Sequence, residues 1–397
     1  MRRLENETIA DVSVASVMSG APSSLDVAIY GSNPADDAVS WLPASRIRWI
    51  RDAVQSHLEG NVVFARLAAA AHFDVERIQS LQDMPTIPVL SSGLFKKIAI
   101  RTQTGSPARA CLSSGTRGTQ SVVYRDETTI ERFVGTVLSG LRKAGLHSSA
   151  REGFILAPAV DDSPGTWFTY VLGLTEMLYD TRFYVSEEAF SPEALYRDLR
   201  TRAADSHPVI VGPPSLVLEF LNWMAYRDVR LDLGDADGHV VTAGGWKSFT
   251  GHISREELTS RIGEYLRIGP RSCRDAFNMV ELNTVIFECA ERRKHLPPWL
   301  TVLVRDPRTL DVLPAGDTGI LSYLDPTATS YPCFILSDDF GVVREDPCPC
   351  GGRGQTLEIT RRIAVIEERG CSRKMSHYAV ASPVTSPATN PATSPGR

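Results

Sequence analysis

Apolar residues along this chain recur at two spacings, and the two spacings take turns. Leu195 and Leu199 stand four apart behind Ser191-Pro192. A hydroxyl N-cap with a first-turn proline predicts a helix that buries one face there. His207-Pro208 then leads into Val209-Ile210-Val211, a short apolar run closed by Gly212-Pro213-Pro214, which reads as a buried strand. Val240-Val241 ahead of Gly244-Gly245 repeats the pattern, and Ser254-Arg255-Glu256-Glu257 is a capping box that opens another helix. Helix and strand patterns in alternation predict an α/β layered domain. From Leu300 onward the texture changes. Thr301–Val304, Ile320–Leu324 and Cys333–Leu336 are short β runs broken by Pro, Gly and Asp, and they predict a smaller β-rich subdomain. At both ends the periodicity lapses. Residues 1–40, rich in Ser, Ala and Asp, predict a loosely held arm, and the Ser-Pro and Asn-Pro units over 381–397 predict a disordered tail because proline blocks helix and ladder alike. The expected organisation is an arm (1–40), an α/β domain (41–300), a β-rich subdomain (301–371) and a tail (381–397).

Composition narrows the partners. With 43% hydrophobic and 22% charged residues the chain has globular composition. A formal net charge of −5 gives no basic footprint, so nucleic acid is not expected as a partner. No apolar run of about 18 residues predicts a membrane span. Met-Arg-Arg at the start is followed by no apolar core, so no secretory signal is expected. Seven cysteines, two of them in Cys348-Pro349-Cys350, favour a reducing cytoplasm with thiol or metal chemistry over a disulfide framework.

The candidate chemistry begins between two predicted strands, Ala110-Cys111-Leu112 and Ser121-Val122-Val123-Tyr124. There Ser113-Ser114-Gly115-Thr116-Arg117-Gly118-Thr119 combines two glycines, four hydroxyls and one cation. Glycine lets backbone N–H groups converge and the hydroxyls add donors, which suits a polyphosphate. The segment fits neither the GxxxxGK[ST] loop nor GxGxxG, and on its own it reads equally as a Ser/Gly hairpin turn.

Further motifs follow in order, and together they resemble the adenylate-forming (ANL) superfamily of acyl-CoA synthetases, luciferases and adenylation domains. The loop from Ser113 to Thr119 is similar to its phosphate loop. Thr242-Ala243-Gly244-Gly245-Trp246 resembles the turn against adenine, and Phe277-Asn278-Met279-Val280-Glu281 its aromatic-Gly-x-Thr-Glu motif. Ser337-Asp338-Asp339-Phe340-Gly341 resembles Thr-Gly-Asp-x-Gly, and Thr360-Arg361 and Arg369-Gly370 fall at the hinge. Within the superfamily the chain resembles the bacterial-luminescence acyl-protein synthetases (long-chain-fatty-acid ligases), then phenylacetate–CoA ligases. Ile87-Pro88-Val89-Leu90 through Phe95-Lys96, Gly245-Trp246-Lys247 and His295-Leu296-Pro297-Pro298-Trp299 carry that likeness, over roughly residues 80 to 371. The chain departs from the pattern at Asn278 and Asp338, each in place of a glycine, at Val280 in place of a threonine, and at Ile363, Ala364 and Glu367 in the hinge. About thirty residues follow the hinge, so the resemblance implies the large adenylating domain with its C-terminal lid largely absent.

The resemblance implies an ATP- and Mg2+-dependent ligase that turns a carboxylic acid into an acyl-adenylate, releases pyrophosphate and transfers the acyl group to a thiol of CoA, a carrier protein or the protein itself. Ser113, Ser114, Gly115, Thr116, Arg117, Gly118 and Thr119 would hold the phosphates, Gly244 and Gly245 the adenine, Glu281 the metal and Asp339 with Arg361 the ribose. Cys371, beside Arg369, Arg373 and Lys374, matches the acyl-accepting cysteine of the acyl-protein synthetases, or is a free surface thiol. Read from the residues, Cys348 and Cys350 with Cys289 and His295 could complete four soft ligands for a structural Zn2+, or be reduced cysteines beside a loop histidine. Cys111, Cys273 and Cys333 sit among apolar residues and are expected to pack. Trp167, Phe168, Tyr170 and Trp223 suit either an acyl pocket or the core. The competing class is a nucleotide-binding partner or scaffold without turnover.

Overall fold

The computed structural model describes residues 22–362 apart from 32–33, 115–118, 149, 164, 187–188, 203–205 and 247–252. The α/β alternation becomes a six-stranded sheet in the order Ile286–Phe287, Cys273–Phe277, His239–Ala243, His207–Gly212, Arg151–Ile155, Asp180–Phe183. Neighbouring strands are parallel except for Ile286–Phe287, which pairs antiparallel at the edge. The sheet is buried on both faces, which is why its strands read as unbroken apolar runs. Side chains alternate across it: Val209 and Val211 enter one core cluster and Ile210 the other, as do Val241 and Val240. Helices Pro192–Arg202, Pro214–Arg227 and Arg255–Leu266 supply Leu195, Leu199, Leu221 and Ile262 to one face. Helix Glu127–Lys143 supplies Phe133 and Val137 to the other. Ser254 accepts from the Glu257 N–H at 3.0 Å, capping the third of those helices.

The β runs after Leu300 form a second, antiparallel sheet in the order Lys294–His295, Thr356–Arg362, Phe334–Arg344, Gly319–Leu324, Thr301–Arg305, with Leu90–Ser91 added parallel to Phe334–Arg344. One core cluster runs through both sheets, joining Val241 to Leu321 and Ile335. The run expected over Cys333–Leu336 continues as a strand to Arg344. Its polar middle stays in the ladder because Ser337 Oγ donates to the Leu321 carbonyl and accepts from the Asp339 N–H, across bulges on both flanks.

Inside the segment expected as a loosely held arm, Ser24–Tyr30 is a helix. Ser23 and Asp26 close its capping box, and Leu25, Ile29 and Tyr30 are buried. Asp26 pairs with Arg132 at 2.7 Å, and the absent side chain of Gly135 admits Ile29, whose methyl would lie 2.5 Å from a Cβ there. Among the described residues no helix is long and apolar enough to cross a membrane.

Candidate active site

The two strands around the glycine-rich loop pair as predicted, Ala108–Leu112 against Val122–Asp126, with Leu112 opposite Val122. Ser113 locks the base of the loop. Its N–H donates to the Ser121 carbonyl, its Oγ accepts from the Ser121 N–H, and Gln120 donates to its carbonyl at 2.8 Å. Ser114 and Thr119 flank the tip, and Gly115, Thr116, Arg117 and Gly118 lie outside the described residues.

Three of the singled-out segments meet at the entry to helix Trp167–Gly173. The Leu112 N–H donates to the Gly165 carbonyl at 2.9 Å, and Leu112 bridges Thr166, which ties in the loop-bearing hairpin. Trp167 Nε1 donates to Asn278 Oδ1 at 2.7 Å, which ties in the turn leading to Glu281. Phe168 packs under Gly244, where a Cβ would stand 2.7 Å from its ring, and Gly244 and Gly245 take φ of +81° and +64°. Both glycines are therefore required by backbone conformation, and Gly244 also by the close approach. Trp167, which the sequence left between pocket and core, is the joint between these segments. Beside it, a cavity of about 10 Å³ lined by Arg109, Cys111, Ile130, Gly165, Trp167 and Tyr170 has room for a water but not for an acyl chain.

Glu281 is buried in the turn after strand Cys273–Phe277. The asparagine that replaces a glycine in this motif braces the turn, since Asn278 Nδ2 donates to the carbonyls of Leu282 and Thr284, each at 3.0 Å. Arg125 grips it from the other side. This fully buried guanidinium donates to the Val280 carbonyl at 2.6 Å and Asn283 Oδ1 at 3.0 Å, reaches the Leu282 carbonyl at 3.4 Å, and stacks 3.7 Å over Trp167. No described carboxylate hydrogen-bonds to it; carbonyls and ring faces surround it, and the buried Asp325 carboxyl interacts with it through space. Sequence reasoning missed Arg125, because a lone arginine at the end of a strand carries no signal of burial.

Asp339 is buried in strand Phe334–Arg344, where the ladder sets it opposite Arg362 and sets Phe340 opposite Arg361. Described contacts do not link Asp339 to the three segments at Trp167. The Arg361 side chain and Cys371 lie outside the described residues.

The four residues singled out for metal do converge. The ligand atoms of Cys289, His295, Cys348 and Cys350 lie within 4.8 Å of one another. Cys289 and Cys348 sulfurs are 3.7 Å apart, too far for a disulfide and close to the roughly 3.8 Å edge of a tetrahedron with Zn–S bonds of about 2.3 Å. His295 Nδ1 faces the Arg353 carbonyl at 3.2 Å, which leaves Nε2 as the lone-pair nitrogen, 3.2 Å from Cys350 Sγ. The Gly352 N–H donates to Cys350 Sγ, and a Cβ on Gly352 would lie 2.7 Å from the imidazole. Burial drives the Cys348 thiol up to about 12; against the same burial, the Gly352 N–H and Cys348 hold Cys350 below its usual value. The donor set, its spacing and the second-shell carbonyl fit a tetrahedral Zn2+. Cys111, Cys273 and Cys333 are buried, as expected.

Comparison with known proteins adds four matches. The family described as acyl-protein synthetase, LuxE, matches residues 13–379. A long-chain-fatty-acid–luciferin-component ligase of Aliivibrio fischeri is 32% identical over 366 residues, 90% of this chain and 94% of that protein. Its namesake in Vibrio harveyi is 32% identical over 365 residues with the same coverages. Among solved structures, the open conformation of 2-hydroxyisobutyryl-CoA ligase in complex with 2-HIB-AMP and CoA superposes with a TM-score of 0.63 at 15% identity, over 87% of this chain and 74% of that one. That likeness is one of fold, the fold of adenylate-forming ligases.

Proposed function

The chain belongs to the acyl-protein synthetase, LuxE family and is a ligase of that family, and we propose that it activates a long-chain fatty acid with ATP and passes the acyl group to a protein thiol. ATP-dependent formation of an acyl-adenylate, then acyl transfer to a thiol, is the reaction this membership carries. The observation that best supports it in the molecule is the meeting of the loop hairpin, the Gly244 turn and the Glu281 turn at residues 165–168.

In the first step a carboxylate oxygen attacks the α-phosphorus of ATP and the bond to pyrophosphate breaks. The nucleophile is already an anion, so no general base is needed, and the barrier is the approach of like charges. In this reading the donors of Ser113 to Thr119 hold the departing phosphates, the Thr242–Trp246 turn carries the adenine, and Asp339 with Arg361 fixes the ribose. Glu281 would hold Mg2+, an ion that supplies neutralising positive charge for phosphate chemistry. Cys289, His295, Cys348 and Cys350 would hold a structural Zn2+, whose role is to add stability rather than chemistry.

In the second step a thiolate attacks the acyl carbonyl and the C–O bond to AMP breaks. We assign the thiol to Cys371, whose neighbours Arg369, Arg373 and Lys374 favour the thiolate. Exchange of labelled pyrophosphate into ATP, run with fatty, aromatic and amino acids, tests the reading. Exchange is expected with long-chain fatty acids. ATP binding with exchange for none of them would instead mark a nucleotide-binding protein without turnover.

A further inference from the structure

A chain of charges, buried at its centre, lies between the Cys/His cluster and the Gly244 turn, and neither the metal set nor the nucleotide motifs account for it. Glu288 and Lys294 bridge each other across a short hairpin whose next residues inward and outward are Cys289 and His295. Lys294 is nine-tenths buried and sits 2.8 Å from both Glu288 Oε1 and Asp275 Oδ2. Glu288, 2% exposed, also accepts from the Asp275 N–H at 2.8 Å and forms a two-pronged pair with Arg255. Asp275 then accepts from Thr242 Oγ1 at 2.7 Å. Thr242 stands two residues before Gly244 and opens the turn read as the adenine seat.

The chain is balanced, with two carboxylates against two cations, and every member touches the next. Glu288 and Lys294 are buried at its centre, while Asp275 and Arg255 are half-buried at its ends, and the two buried charges are costly to keep unless each stays paired. It also joins the two sheets, since Asp275 lies in the parallel sheet and Lys294 in the antiparallel one. A surface ion pair would leave its neighbours free to move; a pair desolvated at its centre and ending, through Asp275, on a threonine hydroxyl restrains that threonine.

We propose that Lys294, with Glu288 and Asp275, is a positioning residue for the nucleotide turn, setting the place of Thr242 and hence of Gly244-Gly245 through a rigid strut anchored at the Cys/His cluster. None of the three touches the reacting atoms. The strut acts on ATP affinity, because a displaced seat weakens ground state and transition state alike. This rests on the adenine assignment of the turn.

The test uses the purified full chain. Thr242→Val removes the last contact of the strut together with a longer one to the Arg274 carbonyl at 3.2 Å and retains the shape of the side chain, while Lys294→Met cuts the strut at its centre and Lys294→Arg can still bridge two carboxylates. ATP binding by calorimetry and the split between KM for ATP and kcat in pyrophosphate exchange are measured, with hydrogen exchange of the 239–246 segment alongside. Thr242→Val and Lys294→Met are each expected to weaken ATP binding about tenfold through KM with kcat little changed, and to speed exchange in that segment. Lys294→Arg should recover most of the affinity. Wild-type affinity and wild-type exchange in folded Thr242→Val overturn the strut. Faster exchange in the variants with no ATP binding by the wild type overturns the adenine assignment instead and leaves the strut as a purely structural tie.

Discussion

Arg125 donates to the carbonyl of Val280 at 2.6 Å and, with no carboxylate hydrogen-bonded to it among the described residues, grips the backbone directly ahead of Glu281. A buried guanidinium used this way positions the neighbouring carboxylate through the chain rather than by contact. Replacing it with Met strands the Val280 carbonyl and the Asn283 side-chain oxygen, at about 1–3 kcal/mol each. Arg125→Met should therefore lower the urea midpoint sharply. Arg125→Lys keeps the charge but loses the fork, and should fold yet exchange pyrophosphate more slowly. An undiminished exchange rate in folded Arg125→Lys would detach Arg125 from Glu281.

Gly244 and Gly245 both take positive φ, but only Gly244 has a ring against it. Gly244→Ala adds a steric clash with Phe168 to the backbone penalty, and Gly245→Ala adds the penalty alone, about 1 kcal/mol. The first should raise KM for ATP markedly and lower the melting temperature; the second should do both weakly. Equal effects at the two positions would show that the approach of Phe168 plays no part.

The Cys/His cluster predicts one zinc per chain on metal analysis of purified protein. Cys350→Ser, at the exposed corner, should fold but release zinc to a chelator at lower concentration than the wild type. Because the thiols must lose protons to bind, retention should weaken as pH falls. Equal zinc content and equal chelator resistance in Cys350→Ser would remove that residue from the set.

Cys371→Ser separates the two half-reactions. Pyrophosphate exchange should persist, while covalent labelling of the chain by radioactive fatty acid and ATP should vanish. Label retained on the Ser variant would place the acceptor elsewhere.

His57 predicts an acid limit. It is 1% exposed between Thr102 Oγ1 and the Ala328 carbonyl, and burial holds its imidazole down at about 4, with Asp126 opposing the shift. Between that value and the unfolded value near 6.5, the unfolded chain binds the extra proton. The stabilisation is thus complete above pH 6.5 and lost as pH falls towards 4, by roughly 3 kcal/mol. Urea midpoints should drop over that window, and His57→Asn should flatten the slope. An unchanged slope in the variant would assign the acid sensitivity to other groups.

Much of this arrangement was legible in the residues. The apolar runs at 209–211, 240–241 and 320–324 are strands because burial on two faces demands apolar side chains at successive positions. The convergence of Cys289, His295, Cys348 and Cys350 was one of the two readings their chemistry offered. Where reading failed, the missing information was long-range. Arg125 looks like a surface charge until its partners Val280 and Asn283, more than 150 residues away, are brought to it. The 24–30 helix has seven residues, and the Ser and Asp that made it look loose are its caps. The strand Phe334–Arg344 hides its length because Ser337 satisfies polar atoms that periodicity counts as a break.

The register of Asp339 opposite Arg362 also sets a tether. Strand Thr356–Arg362 is held on one side by Phe334–Arg344 and, at its start, by Lys294–His295, so its end is a fixed origin. Cys371 lies nine positions beyond Arg362, and a chain extends at most about 3.5 Å per residue, so the proposed acceptor can stand no farther than roughly 30 Å from the end of that strand. With Cys371 as the proposed acceptor, each thiol would meet its own adenylate at an effective concentration set by that reach, with no dependence on how much enzyme is present. Self-acylation should be first order in protein at every dilution.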